Sequence, residues 1–357
     1  MESGRSLHSL PGTLRPRTSF IMALLLLPGI LFAQDRAELD SLLERIPRGT
    51  PYDALKVTRG FDSRVSRDPQ KAVRLLLKAA NFGDSGAQTS LGYLYALGEA
   101  VPKDEEQAFR WFQRAASDSY APAQYDLGVL LLQPGIHHDE KAAVRWLTRA
   151  AQRGLAPAQV NLGILYVQGV GVASDGLQAL HWFREAAKQH FAYAEFLLGM
   201  TYESGNGVEQ DLAEAARWYR KAAEQGQAQA QNNLAGLCRN GAGMTKNIDE
   251  AIKWYRSAAE LGESTSYVNL MHLYSEGRDI EPNYIEAYRW ALLARLNPSP
   301  FSKPISEEFV DLLRSHISQE EVNQIGIEVR NWMDKHPIHG TNAAFPLVSS
   351  ALPQSSK

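Results

Sequence analysis

Cysteine is almost absent: Cys238 is the one thiol in 357 residues. No disulfide can close within the chain, and no cysteine zinc cluster can form. Excess charge is missing as well, with 37 Lys plus Arg against 40 Asp plus Glu. That balance gives no electrostatic reason to expect nucleic acid as a partner. Apolar residues make up 44%, with 27 Gly and 17 Pro, a composition that excludes disorder and collagen. Long hydrophobic runs are lacking except for Phe20 to Ala33, preceded by Arg5, Arg15 and Arg17. That run is shorter than the roughly 20 residues of a membrane span and has the form of a secretory h-region. Residues 1–33 are therefore expected to be a signal peptide cleaved after Ala33, with an uncleaved anchor as the alternative. Export, to the periplasm first and beyond the cell second, is the expected location, with no membrane span after cleavage and a mature charge of −5. Cys238 reads as a buried core thiol.

Catalytic signatures are lacking too. There is no HExxH, no G-x-S-x-G and no S-x-x-K. His137 and His138 are adjacent and do not share a helical face, and they read as loop residues before a helix cap. His336 and His339 flank Pro337 near the end and would suit a ligand pair only in an ordered tail. The expectation is a protein with no catalytic residues, no metal site and no cofactor.

What is present is a repeat. Trp111, Trp146, Trp182, Trp218, Trp254 and Trp290 are spaced by 35, 36, 36, 36 and 36 residues. Seven residues before each stands a helix-capping side chain: Asp104, Asp139, Asp175, Asp211, Asn247 and Asn283. Gln107, Gln178, Glu214, Glu250 and Glu286 follow three residues later, as in a reciprocal capping box, with Ala142 the exception. Alanine recurs four residues after each cap, on the same helical face as the tryptophan, which predicts a buried Trp. Gly83, Gly154, Gly226 and Gly262 stand where a helix C-terminus turns left-handed. An earlier helix in each unit carries Leu91, Leu127, Leu162, Leu198, Leu234 and Leu270. It is followed by Gly92, Gly128, Gly163, Gly199 or Ala235, small residues that permit close approach of the paired helix. Gly-x-Gly pairs such as Gly169 with Gly171 read as interhelix loops rather than phosphate loops.

A two-helix unit cannot bury both sides of its apolar face, so neighbours must stack. The fold class is all-α, a solenoid of 36-residue helix-turn-helix repeats. After a lead-in (34–47) and a degenerate first repeat (48–84, Leu75 replacing the Trp), six units follow: 85–120, 121–155, 156–191, 192–227, 228–263 and 264–299. A helical cap (300–336) and a mobile tail (337–357) complete the expected order.

The segments NLGILYVQGVGV and DLAEAARWYRKAAEQG, in register with the other copies, resemble Sel-one-like repeats, a tetratricopeptide-related family. The segment ISQEEVNQIGIEVRNW resembles the short helix that closes such arrays. The resemblance implies a right-handed α/α superhelix acting as a scaffold or adaptor, with protein or peptide bound along the concave face. It leaves the partner's identity and the oligomeric state open. Two alternatives stand beside it: a cell-wall or β-lactam-related hydrolase, an activity that the resemblance to some exported relatives implies, and a secreted host-interaction factor.

In tetratricopeptide-like folds, three first-helix positions around the Leu-Gly pair face the groove. Carried onto this chain, they give Tyr125, Ile164, Phe196 and Met200 as apolar pockets. Asn161, Asn233 and Asn269 become amides able to hold an extended peptide backbone. For each Asn the alternative is a bond to the solenoid itself. The apolar positions are core if the helix is turned by one residue.

Overall fold

A computed structural model describes residues 69–98, 100–298 and 304–336. The expected signal, the lead-in, the first part of the degenerate unit and the tail lie outside them. The described residues form fifteen α-helices and no strand. The first is α1 (Pro69–Asn81), followed by pairs α2 (Ser85–Leu97) and α3 (Glu105–Ser117), α4 (Ala121–Leu132) and α5 (Glu140–Gln152), and α6 (Ala156–Gln168) and α7 (Gly176–Ala187). Next come α8 (Ala192–Ser204) and α9 (Leu212–Glu224), α10 (Ala228–Asn240) and α11 (Ile248–Glu260), and α12 (Ser264–Glu276) and α13 (Tyr284–Leu296). The closing helices are α14 (Glu307–Arg314) and α15 (Gln319–Lys335). From α1 to α13 packing runs from each helix to the next and is closest within a pair, the arrangement of a solenoid, and α14 and α15 both pack on α13.

The second helices start where the caps predict. Asp104, Asp139, Asp175, Asp211, Asn247 and Asn283 each accept a bond from the backbone N–H three residues on, at 2.9–3.0 Å. The acid at that third position turns outward rather than back to the cap. Glu214 pairs with Arg217 and Glu250 with Arg220. The reciprocal box forms instead at the closing helix, between Ser318 and Glu321.

Burial along the second helix is shifted by one residue from expectation. Trp111, Trp146, Trp182, Trp218 and Trp254 are half-buried, while Phe112, Leu147, Phe183, Tyr219 and Tyr255 beside them are core. One residue is roughly 100° of helix, so the packed face is centred beyond the tryptophan. The outer faces of Trp146 and Trp218 lie under Arg149 and Lys221, at 4.5 and 3.9 Å from the ring centres.

The buried aromatics explain the Leu-Gly motif. A Cβ on Gly92 would stand 2.6 Å from the Phe112 ring, and Gly128, Gly163 and Gly199 meet Leu147, Phe183 and Tyr219 in the same way. Glycine's helix penalty, up to about 1 kcal/mol, is offset by this approach. In the sixth repeat the sizes invert: Met271 replaces the glycine, Ala291 replaces the aromatic, and Trp290 turns inward at 4% exposure.

Neighbouring repeats are latched by the fourth residue of the first helix in five of the six full repeats. Gln88, Gln124, Gln159 and Gln231 donate to the carbonyls of Ala80, Ala116, Ala151 and Ala223 at the preceding helix end, at 3.0–3.2 Å. Tyr267 does the same through its hydroxyl to Ala259. The loops stack as well: Gly207, at φ +77°, lies directly on the backbone of Gly176, the first residue of α7, where no side chain fits.

Candidate partner-binding face

The groove positions lie on α4, α6, α8, α10 and α12, the first helices. Tyr125, Ile164 and Phe196 are core residues there, at 6%, 6% and 7% exposure, rather than open pockets. This corrects the expectation. The first helices are turned so that these side chains fill the core, as the ring of Phe196 does against its own repeat's second helix, 5.9 Å from the ring of Tyr219. Asn161 is also buried, at 2% exposure, and its Nδ2 donates to the Tyr125 hydroxyl at 3.4 Å. Met200, Asn233 and Asn269 are half-buried and reach the surface.

The amides bond the solenoid. Asn233 Nδ2 donates to the Tyr219 hydroxyl at 3.1 Å, and Asn232 Nδ2 donates to Asn233 Oδ1 at 3.3 Å. Asn232 Oδ1 in turn accepts from Asn269 Nδ2 at 2.9 Å and from Ser266 at 3.0 Å. This ladder ties α9, α10 and α12 together. Asn232 is its central member, in a slot that holds Thr89, Tyr125, Val160 and Phe196 in the earlier repeats and so carries no consistent polar signal in the sequence. It fixes the half-buried amides of Asn233 and Asn269 in one orientation, so an incoming partner would meet preset polar groups.

The slot of Asn161, Asn233 and Asn269 holds Asp126 in the second repeat, 2% exposed, and neither carboxylate oxygen has a hydrogen bond in place. Burial pushes its carboxyl up to about 7, held back in part by the neighbouring Tyr93 hydroxyl. Tyr93 and Tyr125 are themselves pushed up, by burial and by the Asp126 charge. The sequence shows an acid at this slot but gives no signal that its charge lacks a counterion.

Cys238 is fully buried, its thiol pushed up to about 11 by burial, an inert position. Among the described residues, no group of three or more His, Cys, Asp or Glu side chains could hold a metal ion. His137 bonds Glu106 at 2.8 Å and stacks on Phe109. No described helix is long and apolar enough to cross a membrane.

The Sel1 repeat model matches seven segments, 59–84, 85–120, 121–155, 156–191, 192–227, 228–263 and 270–297. The chain belongs to the Sel1 repeat family. Its fold is that of a Sel1 repeat protein from Oxalobacter formigenes, with 29% identity over 72% of this chain and all of that one, at a TM-score of 0.61. It is also similar to a protective antigen of uropathogenic Escherichia coli strains displaying an SLR fold, 20% identical over 89% of this chain and 99% of that one, at a TM-score of 0.43. An F-box protein of Arabidopsis thaliana is 31% identical over 103 residues, 29% of this chain. The chain spans 28% of the length of that relative. This Sel1 array is thus a repeat scaffold suited to protein interactions, the general and non-catalytic use of the family.

Proposed function

We propose that this Sel1 protein is an exported, non-enzymatic scaffold that holds a protein partner along its first-helix face, with the contact centred on the fourth to sixth repeats. The observation that carries this reading is the ladder of half-buried amides Asn232, Asn233 and Asn269, anchored by the buried Ser266 hydroxyl, together with the half-buried Met200 on the first helix of the fourth repeat. It presents oriented amides at a surface, which suits an extended peptide backbone. Tyr125, Asn161, Ile164 and Phe196, buried in the second to fourth repeats, act as framework. Export to the periplasm rests on the charge-free run Phe20 to Ala33 behind three arginines.

The test is paired. Captured partners from the exported fraction are identified, and one is measured against Asn233→Ala with Asn269→Ala and against Met200→Ala. Affinity falling by about tenfold while the melting temperature moves little supports the face. An unchanged affinity removes it. Mass spectrometry of the fractionated protein reads the amino terminus directly, and a mature chain beginning after Ala33 is expected.

A further inference from the structure

Three departures from the repeat rules fall together where the third repeat meets the fourth. In five of the six full repeats the fourth residue of the first helix donates to the end of the preceding helix. In the fourth repeat that slot holds Glu195, whose carboxylate cannot donate. Glu195 is nevertheless buried, 2% exposed, and accepts a bond from Gln225. The Ala187 carbonyl keeps its turn bond from the His190 N–H at 3.0 Å and lacks, among the described residues, the side-chain donor its counterparts have.

His190 is the second departure. It adopts φ +56° at the slot filled by Gly83, Gly154, Gly226 and Gly262, a left-handed backbone unfavourable for a non-glycine residue and shared there only by Ser119 among the described residues. Charge is the third. Arg184, Lys188 and Lys221 are exposed here, whereas their counterparts one repeat earlier are Thr148, Gln152 and Glu185, and one repeat later Arg220, Glu224 and Ser257. All of these departures line a single cleft of about 720 Å³, formed where the ends of α7 and α9 flank the start of α8. Ala187, Trp218, Glu224 and Gln225 complete its walls. The Trp218 indole N–H is buried there without an acceptor.

We propose that this cleft binds an acidic segment of a partner protein. Its carboxylates meet Arg184, Lys188 and Lys221, and one of its backbone N–H groups takes the vacant donor place at the Ala187 carbonyl. The present pairing of Lys188 with Glu185 is an exposed one that re-aims at little cost. Of the two acids in the cleft, Glu195 is already bonded by Gln225 and Glu224 points to solvent. The basic side chains are left to set the preference. The surface is separate from the first-helix face and stands or falls independently of it.

The probe is a fluorescein-labelled octapeptide of alternating Glu and Ala, read by anisotropy with the full chain, against the same peptide with Gln for Glu. Saturable binding of the Glu peptide is expected, about tenfold tighter than the Gln peptide. Lys221→Gln and Arg184→Gln should each weaken it about fivefold, and Arg145→Gln on α5 should leave it unchanged. Glu195→Gln restores the latch donor, so it should raise the melting temperature and weaken the peptide. Equal affinity for the two peptides, no saturation by about 1 mM, or a Glu195→Gln protein that binds as wild type would each overturn the proposal.

Discussion

The second and the fifth repeats place a polar side chain, Asp126 and Asn233, in the same first-helix slot and treat it in opposite ways. Asp126 is sealed among Tyr93, Tyr120 and Tyr125 with no donor on either oxygen. Asn232 and Asn233 are half-exposed, and each is bonded to a neighbour. Position in the repeat therefore does not fix the environment. The size of the flanking residues does, because aromatic neighbours close over Asp126 whereas Gly236 and Val268 leave the amide ladder open. One end of the array carries a buried charge at an energetic cost, and the other carries a satisfied polar surface.

The largest expected effect tests the core that both ends share. Phe183→Ala should cost about 3–5 kcal/mol in denaturant unfolding, as a fully buried aromatic does. Trp182→Ala, half-buried, should cost markedly less. If the tryptophan variant were the more damaging, the one-residue turn of the packed face would be wrong.

Next comes the buried acid. A folded-state pKa near 7, above the ordinary 3.8, means that the native protein keeps a proton the unfolded chain has lost. Its stabilising contribution is complete below about pH 4, declines as pH rises, and is gone above about 7, a change on the order of 4 kcal/mol. Asp126→Asn removes this titration. Melting temperatures from pH 4 to 8 should therefore fall less steeply in the variant, and parallel curves would show that Asp126 finds a counterion in solution.

Breaking the open end should be milder. Asn232→Ala strands the Asn269 and Ser266 donors and should cost about 1–2 kcal/mol, less than a fully buried pair because water reaches the site. A loss as large as that of Phe183→Ala would place the ladder in the core. The smallest effect is a gain: His190→Gly relieves the left-handed strain and should add about 1 kcal/mol by the same unfolding measurement. No gain would mean that the histidine ring recovers what its backbone costs.

Much of this was readable in the chain. The caps at Asp175 and Asp211, the glycines at 154 and 226 and the repeat period are local signals, because a helix begins and ends on groups within four residues. The candidate face was less legible. Tyr125 and Phe196 were expected as pockets because a shift of one residue along a helix changes its facing side by roughly 100° while leaving the apolar pattern almost intact.

Sequence by itself determined the two-helix unit, its number of copies and the need for stacking, since each unit's apolar face demands a neighbour. Only the tertiary structure decided which side of each helix the neighbour covers. That choice buried Phe183 instead of Trp182, sealed Asp126, opened Asn232, and left Glu195 in a slot where its counterparts donate. The physical reason is that burial and hydrogen-bond partners on these faces come from residues about 36 positions away, and the angle between successive units sets which of two adjacent side chains meets them.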